Sequence, residues 1–387
     1  MRNKQVIDAV KSAFLEKFNK KPLLARSPGR INLIGEHTDY NNGFVLPASI
    51  DKASYVAIQK SGSDQCSIIA LDLGESYEFS IQDQLNPTDV SWANYFLGVI
   101  DQFQKRNLSV EGFEMVFSSD VPLGAGLSSS AALESSFGFA LSELFKHHID
   151  RIELSKIGQA AEHTFAGTKC GIMDQYASCL GKANHAILID CQSLVPEYIP
   201  CALGDYHLVL FDSCVKHNLV ETEYNTRREQ CEEGVEILKS KYPEINSLRD
   251  ANLRKLESVK DQMDLVVFNR CHYVITEYDR VMAASKALKN QKIEELGELM
   301  WQTHYGLRDD YEVSCKELDL LVELAEENPN IIGARMMGGG FGGCTINIVK
   351  NDGLEETINN ILEQFENKTN QKIKHYSVSI DDGASLL

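Results

Sequence analysis

The run from Gly29 to Tyr40, Gly-Arg-Ile-Asn-Leu-Ile-Gly-Glu-His-Thr-Asp-Tyr, is the most informative in this sequence. Its Glu36, His37 and Asp39 can together donate and accept hydrogen bonds to several hydroxyl groups at once. Arg30 can meet an anion, because its guanidinium is planar and stays charged at any working pH. The run therefore suits a site that holds a polyhydroxylated molecule beside a phosphate. A polar surface loop of chance composition is the alternative.

A second segment, Pro122 to Ala132, is rich in small residues and carries three consecutive hydroxyls, Ser128 to Ser130. Small residues let the backbone approach a ligand, and a helix predicted from Ser129 to Phe145 would direct its first amides at that ligand. The hydroxyls add donors and one candidate magnesium ligand. The segment is not a Walker A loop, because no Gly-Lys-Ser/Thr follows at the required spacing. The alternative is a flexible turn in which Ser128 caps the helix.

A third segment, Thr168 to Gln175, places the carboxylate of Asp174 beside glycine and apolar residues. A partly buried carboxylate needs a partner, so Asp174 has either a structural or a functional role. Glu162 lies on the preceding predicted helix and is either a metal ligand or a solvated helix glutamate.

The glycine-rich run at 338–343 satisfies the G-x-G-x-x-G pattern of dinucleotide-binding proteins. That fingerprint requires a strand before it and a helix after it, whereas the residues that follow, Cys-Thr-Ile-Asn-Ile-Val, predict a strand. This rules against a nicotinamide dehydrogenase. We expect a glycine turn that lets one backbone segment pass close to another.

Composition narrows the partners and the compartment. The net charge of −18 over 387 residues argues against nucleic acid or an anionic membrane as the main partner. No apolar run approaches the ~20 residues needed to cross a bilayer, and the charged N-terminus does not resemble a secretory signal. Ten cysteines without a Cys-x-x-Cys pair indicate reduced thiols. We expect a cytoplasmic protein that binds neither nucleic acid nor membrane.

The hydrophobic patterning predicts an α+β protein whose order of elements is too irregular for a doubly wound sheet. A helix is expected near residues 6–18, followed by a short strand from Leu23 to Ser27 that enters a loop from Pro28 to Pro47. Helical patterning dominates from Glu221 to about Glu326. A domain junction is expected between Cys191 and Asp205, which gives an N-terminal domain of residues 1–200 and a C-terminal domain of residues 201–387.

Taken together, these segments resemble the galactokinases of the GHMP small-molecule kinase superfamily, over essentially the full chain. Residues 28–47 resemble the galactokinase signature, and Leu123 to Ala131 resemble the phosphate-binding motif of the superfamily. Arg335 to Thr345 resemble its third, glycine-rich motif. Cys170 to Gln175 and Glu223 to Arg228 match stretches specific to galactokinases. The glycine motifs alone would indicate only the superfamily. The signature at residues 28–47 indicates the galactokinases within it.

The resemblance implies roles for individual residues. Arg30 would reach the transferred phosphoryl group, and Asp174 would act beside the attacking hydroxyl as a general base or an electrostatic orienter. Ser130 and Glu162 would coordinate Mg²⁺. The implied galactose-binding residues are Glu36, His37, Thr38, Asp39, Gly171 and Tyr224. The implied ATP-binding residues are Gly124, Ala125, Gly126, Leu127, Ser128, Ser129 and Ser130.

The resemblance also implies the fold and the reaction. It predicts an N-terminal domain like ribosomal protein S5 and a ferredoxin-like C-terminal domain, with the active site between them. The implied activity is ATP-dependent phosphorylation of α-D-galactose at its C1 hydroxyl, the first committed step of the Leloir pathway, by a monomeric enzyme. The rival interpretations are a kinase of the same superfamily acting on N-acetylgalactosamine or another sugar, and a non-catalytic sensor of galactose and ATP.

Overall fold

The computed structural model describes residues 3–215 and 220–387, which form three β-sheets and eleven α-helices. The strands are β1 Leu23–Asn32, β2 Phe44–Val45, β3 Pro47–Lys60, β4 Gln65–Ala70, β5 Glu75–Ser80, β6 Phe113–Ser119, β7 His185–Asp190, β8 Pro196–Pro200, β9 Tyr206–Asp212, β10 Ile331–Met336, β11 Cys344–Lys350, β12 Lys374–Val378 and β13 Ser385–Leu386. The helices are α1 Lys4–Phe18, α2 Ser91–Lys105, α3 Ser129–Leu144, α4 Arg151–Ala161, α5 Met173–Leu180, α6 Val220–Lys241, α7 Leu253–Glu257, α8 Leu265–Lys289, α9 Ile293–Tyr305, α10 Lys316–Glu326 and α11 Leu354–Thr369.

The largest sheet has six strands in the order β13-β1-β3-β6-β4-β5, and its pairs are antiparallel except for β4 with β6. Strand β3 alternates its side chains between the two faces, as the period of two requires. Tyr55 and Ala57 pack against α1 on one face. Val56 and Ile58 pack with residues of α2, α3 and α4 on the other. The sheet is therefore covered by helices on both faces.

Strand β1 is longer than the sequence predicted, since it continues through Pro28 to Asn32. The predicted loop therefore begins only after Asn32, and Arg30 lies on a strand. The pairing of β1 with β3 shifts register between Pro28 and Arg30. Proline is tolerated in a sheet at such an irregularity, and this explains why the strand continues beyond the end that Pro28 and Gly29 predict.

Strands β9 to β12 form an antiparallel sheet in the order β10-β11-β9-β12. With α11 between β11 and β12, and the helices α6 to α10 between β9 and β10, this is the βαββαβ arrangement of a ferredoxin-like domain. Strands β2, β7 and β8 form the third, small sheet. The predicted fold class, a mixed two-domain GHMP kinase fold, is confirmed.

The C-terminal strand returns to the first sheet, because β13 pairs with β1. The last residues thus belong to the N-terminal sheet, and the division into residues 1–200 and 201–387 stays a prediction. Seven cysteines are buried as free thiols: Cys66, Cys179, Cys191, Cys201, Cys231, Cys271 and Cys344. Across residues 3–215 and 220–387, no helix is long and apolar enough to span a membrane.

The C-terminal segment is held by an ion pair with a fully buried arginine. Arg26 lies on β1, and its Nη2 is 2.9 Å from Asp381 Oδ2 and donates to the Asp382 carbonyl at 2.9 Å. We predict that Asp381→Asn lowers the free energy of unfolding by about 2–3 kcal/mol, because it leaves a buried cation without its charged partner. Urea denaturation of both proteins measures the difference.

Glu111→Gln is the matched control, because it breaks the exposed pair between Lys60 and Glu111, whose charged atoms are 2.7 Å apart. We expect this variant to change stability by less than about 1 kcal/mol. Equal losses in the two variants would show that Asp381 does no more than a surface charge.

Candidate active site

Two neighbouring cavities lie between three segments. They are the signature run (Gly29 to Tyr40), the phosphate loop (Gly124 to Ser130) and the glycine turn (337–343). The larger, about 360 Å³, is lined by the phosphate loop and the glycine turn at 337–343. The smaller, about 180 Å³, is lined by the signature residues, the segment 168–174 and Tyr224. Four residues line both cavities: Arg30, Asp174, Gly338 and Gly339. A reaction between a molecule in each cavity would take place at these four residues.

Asp174 and Arg30 form a bidentate ion pair at this junction. Arg30 comes from β1 and Asp174 from the first turn of α5. The Arg30 Nε donates to Asp174 Oδ1 at 2.8 Å, and its Nη2 donates to Oδ2 at 3.0 Å. Ser128 Oγ also donates to Oδ2, at 2.5 Å. Three charge-assisted bonds hold this carboxylate as an oriented anion at the edge of both cavities.

Arg30 also joins the strand to the phosphate loop. Its Nη1 donates to the Gly126 carbonyl at 2.6 Å, and its backbone amide donates to the Leu127 carbonyl at 3.1 Å. Burial opposes the charge of Arg30, but the carboxylates of Asp174 and Glu36 outweigh it and raise the pKa of the guanidinium. These bonds use three of the five side-chain N–H groups, so two can serve a ligand.

The phosphate loop turns sharply into α3. Gly124 and Gly126 have φ of 76° and 72°, and Ser128 has φ of 57°, in the left-handed region. The Ser128 side chain makes no capping bond to α3 and instead bonds Asp174, which excludes a purely capping role. Ala125 was predicted to bind ATP, but its side chain is buried in the core and does not line the cavity.

The glycine turn passes close to another backbone segment, as the sequence predicts, and the structure shows that this segment is the phosphate loop. A Cβ on Gly338 would lie 3.4 Å from the Gly126 carbonyl oxygen, and a Cβ on Gly126 would lie 3.2 Å from that of Met337. Both glycines have positive φ, so any other residue would be strained as well as crowded. The close approach brings the N-terminal and C-terminal halves of the chain together at the larger cavity.

Glu36 fastens the signature run to this turn. Its Oε1 accepts from Gly338 N at 2.8 Å and from Arg335 Nη2 at 3.1 Å, and its side chain is 1% exposed. Burial alone would raise the pKa of Glu36, but the charges of Arg335 and Arg30 lower it below its usual value. Glu36 lines the smaller cavity as an anion.

His37 has hydrogen-bond partners at both ring nitrogens. Nε2 is 3.2 Å from the Gly339 carbonyl, and Nδ1 is 2.8 Å from the Tyr40 hydroxyl, which is 2.7 Å from the hydroxyl of Tyr311. A carbonyl only accepts, so the proton belongs on Nε2 and Nδ1 accepts from Tyr40. Burial lowers the pKa of His37 to about 4, which keeps the ring neutral near pH 7.

Asp39, Gly171 and Tyr224 also line the smaller cavity. A Cβ on Gly171 would lie 1.8 Å from Asp39 Oδ2, so only glycine fits against that carboxylate. Burial and the charge of Asp174 raise the pKa of Asp39 to about 6. The ring centroid of Tyr224 is 5.2 Å from that of His37.

Thr38 is the predicted sugar-binding residue that does not line the smaller cavity. Its side chain is fully buried, and its hydroxyl contacts the carbonyls of Gly35 and Phe44 at 2.8 and 2.7 Å. The structure therefore gives Thr38 a role in shaping the loop and does not support direct sugar binding.

Ser130 and Glu162 lie together beside the phosphate loop. Ser130 Oγ donates to Glu162 Oε1 at 3.2 Å, and Glu162 begins the π-helical turn Glu162–Ala166 that follows α4. Burial and the charge of Asp174 raise the pKa of Glu162 to about 7. Two oxygen donors in a carboxylate-rich region fit a hard cation that takes its other ligands from phosphate and water. Within residues 3–215 and 220–387, no three His, Cys, Asp or Glu side chains form a metal cluster.

Some residues at the site were not among the predicted ligands. Gly338 and Gly339 line both cavities, and Met337 and Phe341 line the larger one. The glycines among them belong to the run at 338–343, which the sequence predicts to be a structural turn. Arg335, which holds Glu36, sits on β10, and its contact joins residues 299 positions apart. No spacing in the sequence indicates that pair.

Comparison with known proteins identifies the family. The galactokinase galactose-binding signature matches residues 12–60, and the N-terminal and C-terminal domains of GHMP kinases match residues 94–182 and 284–367. The galactokinase of Clostridium perfringens (strain 13) is 40% identical over 387 residues, covering 98% of this chain and 100% of the relative. The chain belongs to the galactokinase family. Its activity is the ATP-dependent phosphorylation of galactose.

Two further relatives agree with this assignment. The galactokinase of Chloroflexus aurantiacus is 38% identical over 377 residues, covering 97% of this chain and 96% of the relative. The crystal structure of Lactococcus lactis galactokinase complexed with galactose superposes with a TM-score of 0.94 at 33% identity, covering 99% of this chain and all of that one. The likeness extends over the whole fold and is not confined to the signature.

The raised pKa of Asp39 predicts a pH-dependent cost to stability. Because its pKa is about 6 in the folded chain, the folded state holds a proton that the unfolded state releases near pH 4. The cost is absent below about pH 4, grows as the pH rises and is complete above pH 6. We predict that Asp39→Asn raises the free energy of unfolding by about 1–3 kcal/mol at pH 8.

Urea denaturation at pH 8 and at pH 5 measures this effect, and the advantage of the variant should shrink at the lower pH. Asp51→Asn, on the partly buried part of β3 and outside both cavities, is the control for the substitution itself. An Asp39→Asn protein that is less stable than the parent at pH 8 would contradict the assignment.

Proposed function

We propose that phosphoryl transfer from ATP to the C1 hydroxyl of α-D-galactose takes place at the junction of the two cavities. The observation that carries this proposal is that Arg30 and Asp174 border both cavities and are bound to each other. The products would be galactose 1-phosphate and ADP, in the first committed step of the Leloir pathway. The proposed enzyme is a monomer, and its buried reduced thiols fit the cytoplasm.

In this proposal galactose occupies the smaller cavity. Glu36, Asp39 and the backbone at Gly171 accept from or pack against its hydroxyls, and Tyr224 covers one side. His37 presents a neutral imidazole whose Nε2–H faces the Gly339 carbonyl, so it can bind a sugar hydroxyl only by sharing or exchanging that bond. Anionic acceptors and a neutral imidazole suit a neutral polyol better than a phosphorylated sugar.

The phosphates of ATP occupy the larger cavity, against residues 124–130. The first amides of α3 and the positive end of its dipole would face the phosphate oxygens. Ser130 and Glu162 would hold Mg²⁺, which when bound would offset charge on the phosphoryl oxygens. Arg30, with two N–H groups that bond none of the described residues, would bind the transferred group.

Asp174 would orient the C1 hydroxyl and receive its proton. Loose transition states of phosphoryl transfer leave most of the catalysis to positioning and charge stabilisation. Holding the two reactants in line can lower a barrier by several kcal/mol, up to ~7–11 in ideal cases. The bonds from Arg30 and Ser128 support this role, since they fix the carboxylate between the two cavities.

We predict that Asp174→Asn abolishes phosphorylation and preserves galactose binding, because the polar shape is kept and the negative charge is lost. Turnover is measured by a coupled ADP-release assay with galactose, N-acetylgalactosamine, glucose and mevalonate, and binding by calorimetry. Turnover within about tenfold of the parent would remove Asp174 from this role. A parent protein without ADP release above background on galactose would defeat the proposed function.

We predict that Arg30→Ala lowers kcat more than it weakens galactose binding, because the guanidinium would act on the phosphoryl group. Arg30→Lys is the matched variant, because it keeps a positive charge and loses the bidentate geometry. Its kcat should lie between those of the parent and of Arg30→Ala. Steady-state kinetics with galactose and ATP varied separately give the comparison. Intact kcat with weakened sugar binding would reassign Arg30 to substrate capture.

A further inference from the structure

Two buried polar side chains, Gln175 and Glu134, adjoin Glu162, which itself lines the smaller cavity. Gln175 Nε2 donates to Glu162 Oε2 at 2.7 Å and to Glu134 Oε2 at 3.0 Å. Gln175 is 0% and Glu134 1% exposed, and neither lines a cavity. Both residues are therefore out of reach of the substrates and can act only through Glu162 or through the packing.

The two carboxylates determine how the Gln175 amide is turned. Its NH₂ group has two hydrogens, and Nε2 lies within hydrogen-bond distance of one oxygen from each of the two carboxyl groups. The group is also closely enclosed, since a Cβ on Gly158 would lie 2.9 Å from Gln175 Cγ and 3.5 Å from Glu134 Oε2. The amide NH₂ group is therefore enclosed between Glu162 and Glu134, and the contact with Glu134 holds it against Glu162.

This arrangement has a cost that packing alone does not explain. Glu134 Oε1 and Gln175 Oε1 are buried and have no hydrogen-bond partner among the described residues. Buried polar atoms without hydrogen-bond partners are rare. Two apolar side chains of the same shape would avoid the free-energy cost of leaving these atoms unpaired. A buried carboxylate and amide kept under these conditions point to a task at the neighbouring Glu162.

The contacts of Glu162 identify that task. Gln175 donates to Oε2 at 2.7 Å and Cys170 Sγ contacts the same oxygen at 3.7 Å, while Oε1 accepts from Ser130 beside the phosphate loop. Ser130 and Glu134 lie one turn apart on α3, and Gln175 directly follows Asp174 on α5. These side chains thus connect the two helices that carry the proposed magnesium ligand Ser130 and the proposed base Asp174.

We propose that Gln175, oriented by Glu134, is a positioning residue that fixes the Glu162 carboxylate with Oε1 toward Ser130 and the ATP phosphates. This inference rests on the proposed function, in which Glu162 binds Mg²⁺. Groups that orient a metal ligand from behind typically contribute 10–100-fold to metal affinity. Gln175 therefore contributes to cation binding without touching the cation.

The test measures Mn²⁺ binding by electron paramagnetic resonance, on full-length protein with a non-hydrolysable ATP analogue and without galactose. Gln175→Met keeps the volume of the side chain and removes both N–H donors. We expect Mn²⁺ to bind about 10–100-fold more weakly to this variant. Galactose binding, measured by calorimetry, should stay within about twofold of the parent.

Two variants of Glu134 test whether an acceptor oxygen at this position is enough to hold Gln175. Glu134→Gln keeps an oxygen that accepts from Gln175, so Mn²⁺ affinity should stay within about threefold of the parent. Glu134→Leu removes the acceptor and should weaken binding about tenfold or more. A large loss in Glu134→Gln would overturn the orienting role, because it would show that an acceptor oxygen at position 134 is not sufficient to hold Gln175.

Two controls guard against a general structural effect. Gln102→Met removes another buried glutamine, which lies on α2 and bonds Asp101 and Arg106, the residue that follows this helix, and should leave Mn²⁺ affinity unchanged. Thermal unfolding followed by circular dichroism checks that each variant is folded. If Gln175→Met does not fold, Gln175→Asn provides the same test, because its shorter amide cannot reach both carboxylates.

The comparison with Glu162→Gln distinguishes this inference from the proposed function. If Gln175 acts through Glu162, the double variant Glu162→Gln, Gln175→Met binds Mn²⁺ no more weakly than Glu162→Gln alone. Losses that multiply, or a Gln175→Met protein with parental affinity, would overturn the inference. A Glu162→Gln protein with parental affinity would overturn the magnesium assignment and, with it, the positioning role.

Discussion

The bidentate pair between Arg30 and Asp174 is the interaction on which the site depends. It joins β1 to α5, and through the Gly126 carbonyl and the Ser128 hydroxyl it also fastens the phosphate loop to both. A bidentate contact between a guanidinium and a carboxylate fixes the orientation of the two groups as well as their distance. The boundary between the two cavities is therefore set by an electrostatic contact, and the groups proposed to handle the attacking hydroxyl and the transferred phosphoryl group are each other's structural support.

Around this pair the site holds more negative than positive charge. Asp39 and Glu162 are buried near Asp174, and their pKa values rise to about 6 and 7 because burial and like charge both oppose ionisation. Glu36 behaves differently, since Arg335 and Arg30 lower its pKa. The folded chain thus stores an unfavourable concentration of carboxylates that a bound divalent cation would relieve. This is a common relation between function and stability, in which a site retains groups that weaken the empty protein.

Much of the candidate site could be predicted from the sequence, because its ligands occur in short runs whose composition is unusual. The signature run, the serine-rich loop and the glycine turn each appear as contiguous segments, and the glycine turn was correctly predicted to pass close to another backbone. The errors have physical reasons. Strand β1 was ended too early because Pro28 and Gly29 conceal a register shift within a continuing strand. Thr38 was grouped with its neighbours, although its hydroxyl turns back onto its own loop.

The sequence by itself determined the family, the chemistry of the ligands and the alternation of helices and strands, since these depend on residue types and local spacing. The tertiary structure alone decided which side chains share a partner. The contacts of Arg30 with Asp174 and of Glu36 with Arg335 join residues 144 and 299 positions apart, and Gln175 meets Glu134 across 41. Contacts of this kind arise only when separate elements pack together. For that reason the residues proposed to react could be predicted from the sequence, but the groups that orient them could not.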